Sequence, residues 1–154
     1  MKPTMNKNDL LNKADIWNAV IDVLTDHELT TEMNSLNEAI LVYQYYSELE
    51  SGGHESLYRW LESFIREVGI QQYLSRIIDI LEKNGANDYA AIEKKYGQEM
   101  WDLYVALENE EIDEEKFYHV IEKADNEYYN LEGKLEGYLE EYFAEIYTDL
   151  IEVV

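Results

Sequence analysis

Residues 108–152 read ENEEIDEEKFYHVIEKADNEYYNLEGKLEGYLEEYFAEIYTDLIE, sixteen Asp and Glu side chains against Lys116, Lys123 and Lys134. An apolar or aromatic residue still returns every three or four positions: Phe117, Val120, Ile121 and Ala124, then Leu131, Leu135, Leu139, Tyr142, Phe143, Ile146 and Leu150. That is the period of a helix with one buried stripe, so the stretch predicts folded acidic helices and not a solvated tail. The difference has a physical consequence. Carboxylates fixed along a helix imitate a polyanion, whereas a disordered acidic run mainly solubilises or repels.

The same period continues toward the N-terminus. Leu10, Ile16, Val20 and Leu24 form a stripe that Asp9 is placed to cap, and Ser35, three residues before Glu38, suggests a capping box opening a second helix. Gly52-Gly53 is expected to end that helix, with a third running from there to Gly69. Ile70 to Lys83 makes a fourth, stopped at Asn84-Gly85. Asp88 to Tyr96 is expected as a short helix ended by Gly97, and Gln98 to Glu108 as the next. Asp113 is placed to cap a helix through Ala124, and the last spans about Asp125 to Leu150, weakened by Gly133 and Gly137. No convincing period-2 strand is present. The expectation is an all-α, compact single-domain bundle of seven or eight helices over residues 1–154, with Leu61, Phe64, Ile77, Ile78, Leu139 and Ile146 in its core.

The totals narrow the classes of partner. Apolar residues make up 46% of the 154, enough for a core, so the net charge of -22 is expected on the surface. Nucleic acid and anionic membranes, themselves polyanions, are poor direct partners for such a chain, and basic proteins are good ones. There are no cysteines, which excludes disulfides and thiolate chemistry. With no signal-like N-terminus and no apolar run near the roughly 20 residues of a membrane span, the expected location is cytoplasmic.

A search for chemistry returns little. His27, His54 and His119 are scattered and read as surface or capping residues. His54-Glu55 begins like a zincin box, but Tyr58 stands where the second imidazole is required, and the Glu115/His119 pair lacks both the spacing and the second copy of a di-iron bundle. No nucleophile elbow, phosphate loop, dinucleotide fingerprint or calcium loop is present, so no catalytic, cofactor or metal site is expected and the chain is read as a non-enzyme. The fourteen tyrosines, clustered at Tyr43, Tyr45, Tyr46 and at Tyr128, Tyr129, divide between core packing and interface anchoring. On the last helix Glu132, Glu136 and Glu140 form one i, i+4 row and Glu141, Glu145 and Asp149 another, a ladder of anions as the candidate partner-binding face. The bland alternative, a solvated acidic surface, stands beside it.

One stretch resembles a known family. Glu48-Leu49-Glu50-Ser51-Gly52-Gly53-His54-Glu55-Ser56-Leu57-Tyr58 is similar to the Asn-Gly-Gly-Phe signature of the bacterial family called domain of unknown function 4375, with Ser51 in place of Asn and His54 in place of Phe. The Tyr96-Gly97 break and the Asn126-Glu127-Tyr128-Tyr129 segment follow in similar order, so the family-like core covers about residues 34–142. The resemblance implies an all-helical domain, possible homodimerisation and, as in an acidic DNA mimic of that family, occupation of the DNA-binding face of a transcription regulator. Gly52 and Gly53 are then a structural turn. The alternative partner is a basic nuclease toxin, neutralised as by an immunity or antitoxin protein.

Overall fold

The structure, a computed structural model, describes residues 2–154. Its helices are α1 (Lys13–Thr25), α2 (Ser35–Val68), α3 (Ile70–Lys83), α4 (Asn87–Glu108), α5 (Glu114–Tyr129) and α6 (Lys134–Leu150). The fold is all-helical, as the periodicities predict, but with six helices in place of seven or eight.

Two expected breaks, at Gly97 and between Ala124 and Asp125, are not breaks. Gly97 lies inside α4, and a Cβ there would come within 2.5 Å of Leu74 Cδ2, so this glycine serves the close approach of α4 to α3. Its carbonyl also accepts the Tyr58 hydroxyl at 3.0 Å. At Gly52-Gly53 the expected interruption is present: Gly53, with φ of 71° and ψ of -165°, is non-helical, and two helical runs meet there at a kink within α2. After Ala124 the helix runs on through Tyr129, and the boundary before the last helix falls later than expected. Glu132 and Gly133 take φ of 58° and 74°, a left-handed pair that ends the run after α5 and starts α6 at Lys134. Nothing lies within 4 Å of a Cβ built at Gly133 or Gly137, so neither glycine serves a close helix contact.

The caps shift by a few residues. Asn12 accepts the Asp15 N–H at 2.9 Å and opens α1, while Asp9 belongs to a 3-10 turn before it. Asn34 accepts the Asn37 N–H at 2.9 Å and opens α2, which makes Ser35 the first helical residue and not the cap. Asn, Ser and Asp serve this role about equally well, and local spacing does not choose among neighbours. Asp113 does precede α5, without a side-chain cap bond. The chain also has two strands, β1 (Thr4–Met5) and β2 (Glu152–Val153), paired in parallel and too short to show a period of two.

Helix α3 packs between α2 and α4, α4 against α5, and α6 against α1 and α2. Leu61, Phe64, Ile77 and Leu139 are buried, whereas Ile78 and Ile146 sit half-buried at the edges of their stripes. Seven of the fourteen tyrosines are buried, and among the described residues Trp60, Tyr118 and Tyr129 are the exposed large aromatics. Most of the aromatic surplus is therefore taken up by the core and its rim.

Candidate functional site

The acidic rows belong to a helix whose apolar stripe is Leu135, Leu139, Tyr142, Phe143 and Leu150. At about 100° per residue, Glu136 and Glu140 fall on one flank of that stripe and Glu141, Glu145 and Asp149 on the other. Contacts agree with this. Glu136 lies near enough to Tyr46 of α2 to add to the rise in its hydroxyl pKa that burial begins, while Glu141 forms an ion pair with Lys13 at the start of α1. Asp149 accepts the Ser35 hydroxyl at 3.4 Å. Glu132, the expected first member, lies before the helix with a left-handed backbone, so the first row has two carboxylates and not three. All six side chains reach the surface, Glu140 partly covered and the others exposed.

From Glu136 to Asp149 the helix carries five carboxylates over about 20 Å, about 5 Å apart on average and about 6 Å apart within each row, against ~3.4 Å per charge along one DNA strand. The spacing on α6 is wider than that of a strand, by less than a factor of two. Positive charge does not cancel this charge across the molecule, because among the described residues six surface ion pairs occupy six of the 34 acidic residues: Glu141, Glu55, Glu62, Glu38, Glu82 and Glu127.

A second acidic surface lies where α5 crosses the α2 kink. Gly52, Glu55, Tyr118, Glu122, Asp125 and Tyr129 line a shallow groove there. Tyr118 donates to Glu55 at 3.0 Å, and Arg59 already pairs with the same carboxylate. Exposed tyrosine faces beside carboxylates suit arginine or lysine side chains, which stack on the ring and bond to the acid.

Beneath this groove lies a charged centre that sequence spacing does not show. His54 is not a surface or capping residue; it is fully buried, with Nδ1 2.7 Å from Asp125 Oδ1 and Nε2 2.8 Å from Glu93 Oε2. The His54 backbone N–H donates to the same Asp125 oxygen at 3.0 Å, and the Tyr45 hydroxyl donates to Glu93 Oε2 at 3.0 Å. Burial by itself lowers the imidazole pKa, but the Glu93 charge and the hydrogen bonds of both carboxylates outweigh it and raise the value to about 9. At neutral pH the ring is therefore an imidazolium between two acids. Burial, then the neighbouring Glu93, pushes the Tyr45 hydroxyl well above its ordinary range, so it stays protonated and donating.

Asp125 also explains the kink. A Cβ on Gly53 would collide with its carboxylate, which is pressed against the turn by the His54 N–H bond. Sequence did carry a signal for this centre: Glu93 falls on the apolar stripe of α4 between Tyr89 and Gly97, and His54 on that of α2 with Leu57, Tyr58 and Leu61. A polar residue on a buried stripe requires a partner. Among the described residues no His, Asp and Glu cluster is arranged to hold a metal ion.

A family model described as DMP19-like protein matches residues 32–146. The chain belongs to the DMP19-like family. This is a DNA-mimic-type family, in keeping with the kind of relative that the Gly-Gly stretch implies, and the matched residues take in α2 to α5 and most of α6. No curated protein and no solved structure matches the chain. No helix among the described residues is long and apolar enough to cross a membrane.

Proposed function

We propose that this DMP19-like protein is a non-enzymatic DNA mimic of the cytoplasm, whose carboxylates take the place of phosphates on the basic nucleic-acid-binding face of a transcription regulator. The observation that carries the reading is the excess of free carboxylate on a rigid fold: five on α6, about 5 Å apart on average, of which, among the described residues, only Glu141 has an ion-pair partner. Membership of a DNA-mimic-type family supports it. A flexible acidic tail loses entropy on binding, whereas α6 is already ordered against α1 and α2.

Glu136, Glu140, Glu145 and Asp149 are the main anionic contacts, with Glu141 contributing less because Lys13 occupies it. Self-association, if it occurs, avoids these rows, since like charges would face each other across the contact. A homodimer through the exposed Trp60, Tyr118 or Tyr129 leaves α6 free, and light scattering at micromolar concentrations measures its mass.

The test is capture of a basic partner from native lysate at low salt, followed by competition between this protein and DNA for that partner. Mimicry requires mutually exclusive binding and an affinity that falls as salt rises, because exposed charges are screened over about 8–10 Å near physiological ionic strength. A partner that holds DNA and this protein together, each with undiminished affinity, overturns the reading.

A further inference from the structure

Charge is not spread evenly along the chain. Residues 2–13 carry Lys2, Lys7 and Lys13 against Asp9 alone, a net positive stretch in a chain of net charge -22. The stretch also lies outside the part that the family model matches, which begins at residue 32.

The fold lays this stretch against α6. Backbone bonds tie it to the residues that follow the helix: the Glu152 N–H donates to the Pro3 carbonyl at 2.8 Å, the Val154 N–H to Met5 at 2.9 Å, and the Lys7 N–H to Val154 at 2.9 Å. Helix α1, which Lys13 opens, then packs along α6, with the Trp17 ring 5.3 Å from that of Phe143.

The cations fall on one flank of α6. Lys13 pairs with Glu141. The Lys2 ammonium donates at 3.2 Å to the Thr148 carbonyl, in the last turn, where a helix leaves its carbonyls free and its dipole is negative. Lys2 and Asp149 line one shallow depression there. Positions 141 and 148 are about 10 Å apart along the axis, so the two ammonium groups bracket Glu145. On the other flank, Glu136 and Glu140 make no ion pair among the described residues.

Both lysines are exposed, on a backbone that hydrogen bonds and packing hold in place. A surface ion pair contributes little, so each ammonium can leave its acceptor while α1 stays docked. We propose that residues 2–13 are a built-in competitor for the Glu141–Asp149 flank of α6: Lys2 and Lys13 hold it as a basic partner does, and a partner gains it by displacing them. The inference rests on the reading of α6 as a partner-binding face.

Octalysine tests it without the natural partner. The peptide is titrated at low salt into the isotope-labelled full chain while the amide NMR signals of Glu141, Glu145 and Asp149 and the side-chain signals of Lys2 and Lys13 are followed. Saturable shifts are expected in both sets. Binding at these amides is expected to be about fivefold tighter in Lys2→Ala/Lys13→Ala, since losing a surface pair changes an equilibrium by a small factor. Lys116→Ala/Lys123→Ala removes the same charge from α5 and is expected to tighten binding by less than about twofold. Equal tightening in the two double variants overturns the proposal, because total charge then accounts for the gain, and so does unchanged binding in Lys2→Ala/Lys13→Ala. Lys2 and Lys13 signals that stay in place while the α6 amides saturate overturn it on the unaltered chain, whether or not the variants fold. Absence of saturable shifts on α6 in every chain overturns the partner-face reading as well. A failure confined to the lysines leaves that reading standing, to be judged by the competition with DNA.

Discussion

Carboxylates on α6 and carboxylates around His54 are the same chemical group in opposite electrostatic settings. On α6 they stand in water, where repulsion between i, i+4 neighbours amounts to a few tenths of a kcal/mol per pair and salt weakens it further. At the core, Glu93 has no solvent contact and Asp125 little, and each bonds to one imidazolium edge. Removing the partner of a buried charge costs several times more than the same change at the surface. Surface acids are therefore free to meet another molecule, while the buried pair fixes the geometry of the fold.

The largest effect expected is from His54→Phe, which leaves Glu93 buried without its counter-charge. A loss of about 3–5 kcal/mol in urea unfolding is expected, as for other broken buried ion pairs. The double variant His54→Phe/Glu93→Leu removes both charges at that contact and is expected to recover more than half of the loss. If the single variant is as stable as the parent, the buried centre does not differ from the surface and the comparison fails.

Next comes pH. Because His54 has a folded pKa of about 9 against 6.5 unfolded, its contribution is fully present below about pH 6.5 and is lost as pH rises through about 9. The span corresponds to roughly 3 kcal/mol. Melting temperature is expected to fall across that window in the parent and to stay flat in the double variant. NMR titration of the His54 ring locates the midpoint directly.

Gly53→Ala is expected to cost about 1–3 kcal/mol, since φ of 71° is strained for alanine and the Asp125 carboxylate occupies the Cβ position. Gly137→Ala sharpens the contrast: it sits in open space on α6 and is expected to stabilise by about 0.5–1 kcal/mol. Unchanged thermal unfolding in Gly53→Ala would show that the kink is not strained.

Smallest in stability, and largest in function, is reversal of Glu136, Glu140 and Glu145 to lysine. Stability is expected to change by no more than about 0.5 kcal/mol per site, or to rise as repulsion is relieved. Binding to the captured basic partner is expected to be lost. Circular dichroism and the competition assay read the two consequences separately.

Much of the fold was legible along the chain because amphipathic helices advertise themselves locally. The stripes Leu57, Leu61 and Ile65 on α2 and Leu135, Leu139, Phe143 on α6 place core and surface with no knowledge of what packs where. Glycine was less legible. The same residue serves as a close-approach surface at Gly97, a kink at Gly53 and a left-handed stop at Gly133, and only the neighbours Leu74, Asp125 and open solvent distinguish the three. That ambiguity accounts for the excess helices expected in the first 108 residues and for the undivided run expected after Asp125.

The acidic surface was legible in its charge but not in its arrangement. The i, i+4 spacing identified Glu136, Glu140, Glu141, Glu145 and Asp149, yet Glu132 leaves the helix because its backbone turns left-handed with Gly133. The pairing of Glu141 with Lys13 and of Glu38 with Lys83 likewise depends on where helices meet.

By itself, then, the sequence determined an all-helical chain, the apolar face of each long helix and an acidic exterior, since period and composition act over one or two turns. The tertiary structure alone decided that His54 meets Glu93 and Asp125, 39 and 71 positions away, and that Gly53 yields to a carboxylate. Those outcomes depend on which helices lie side by side, and a buried charge is satisfied by whatever packing brings within about 3 Å, at any distance along the chain.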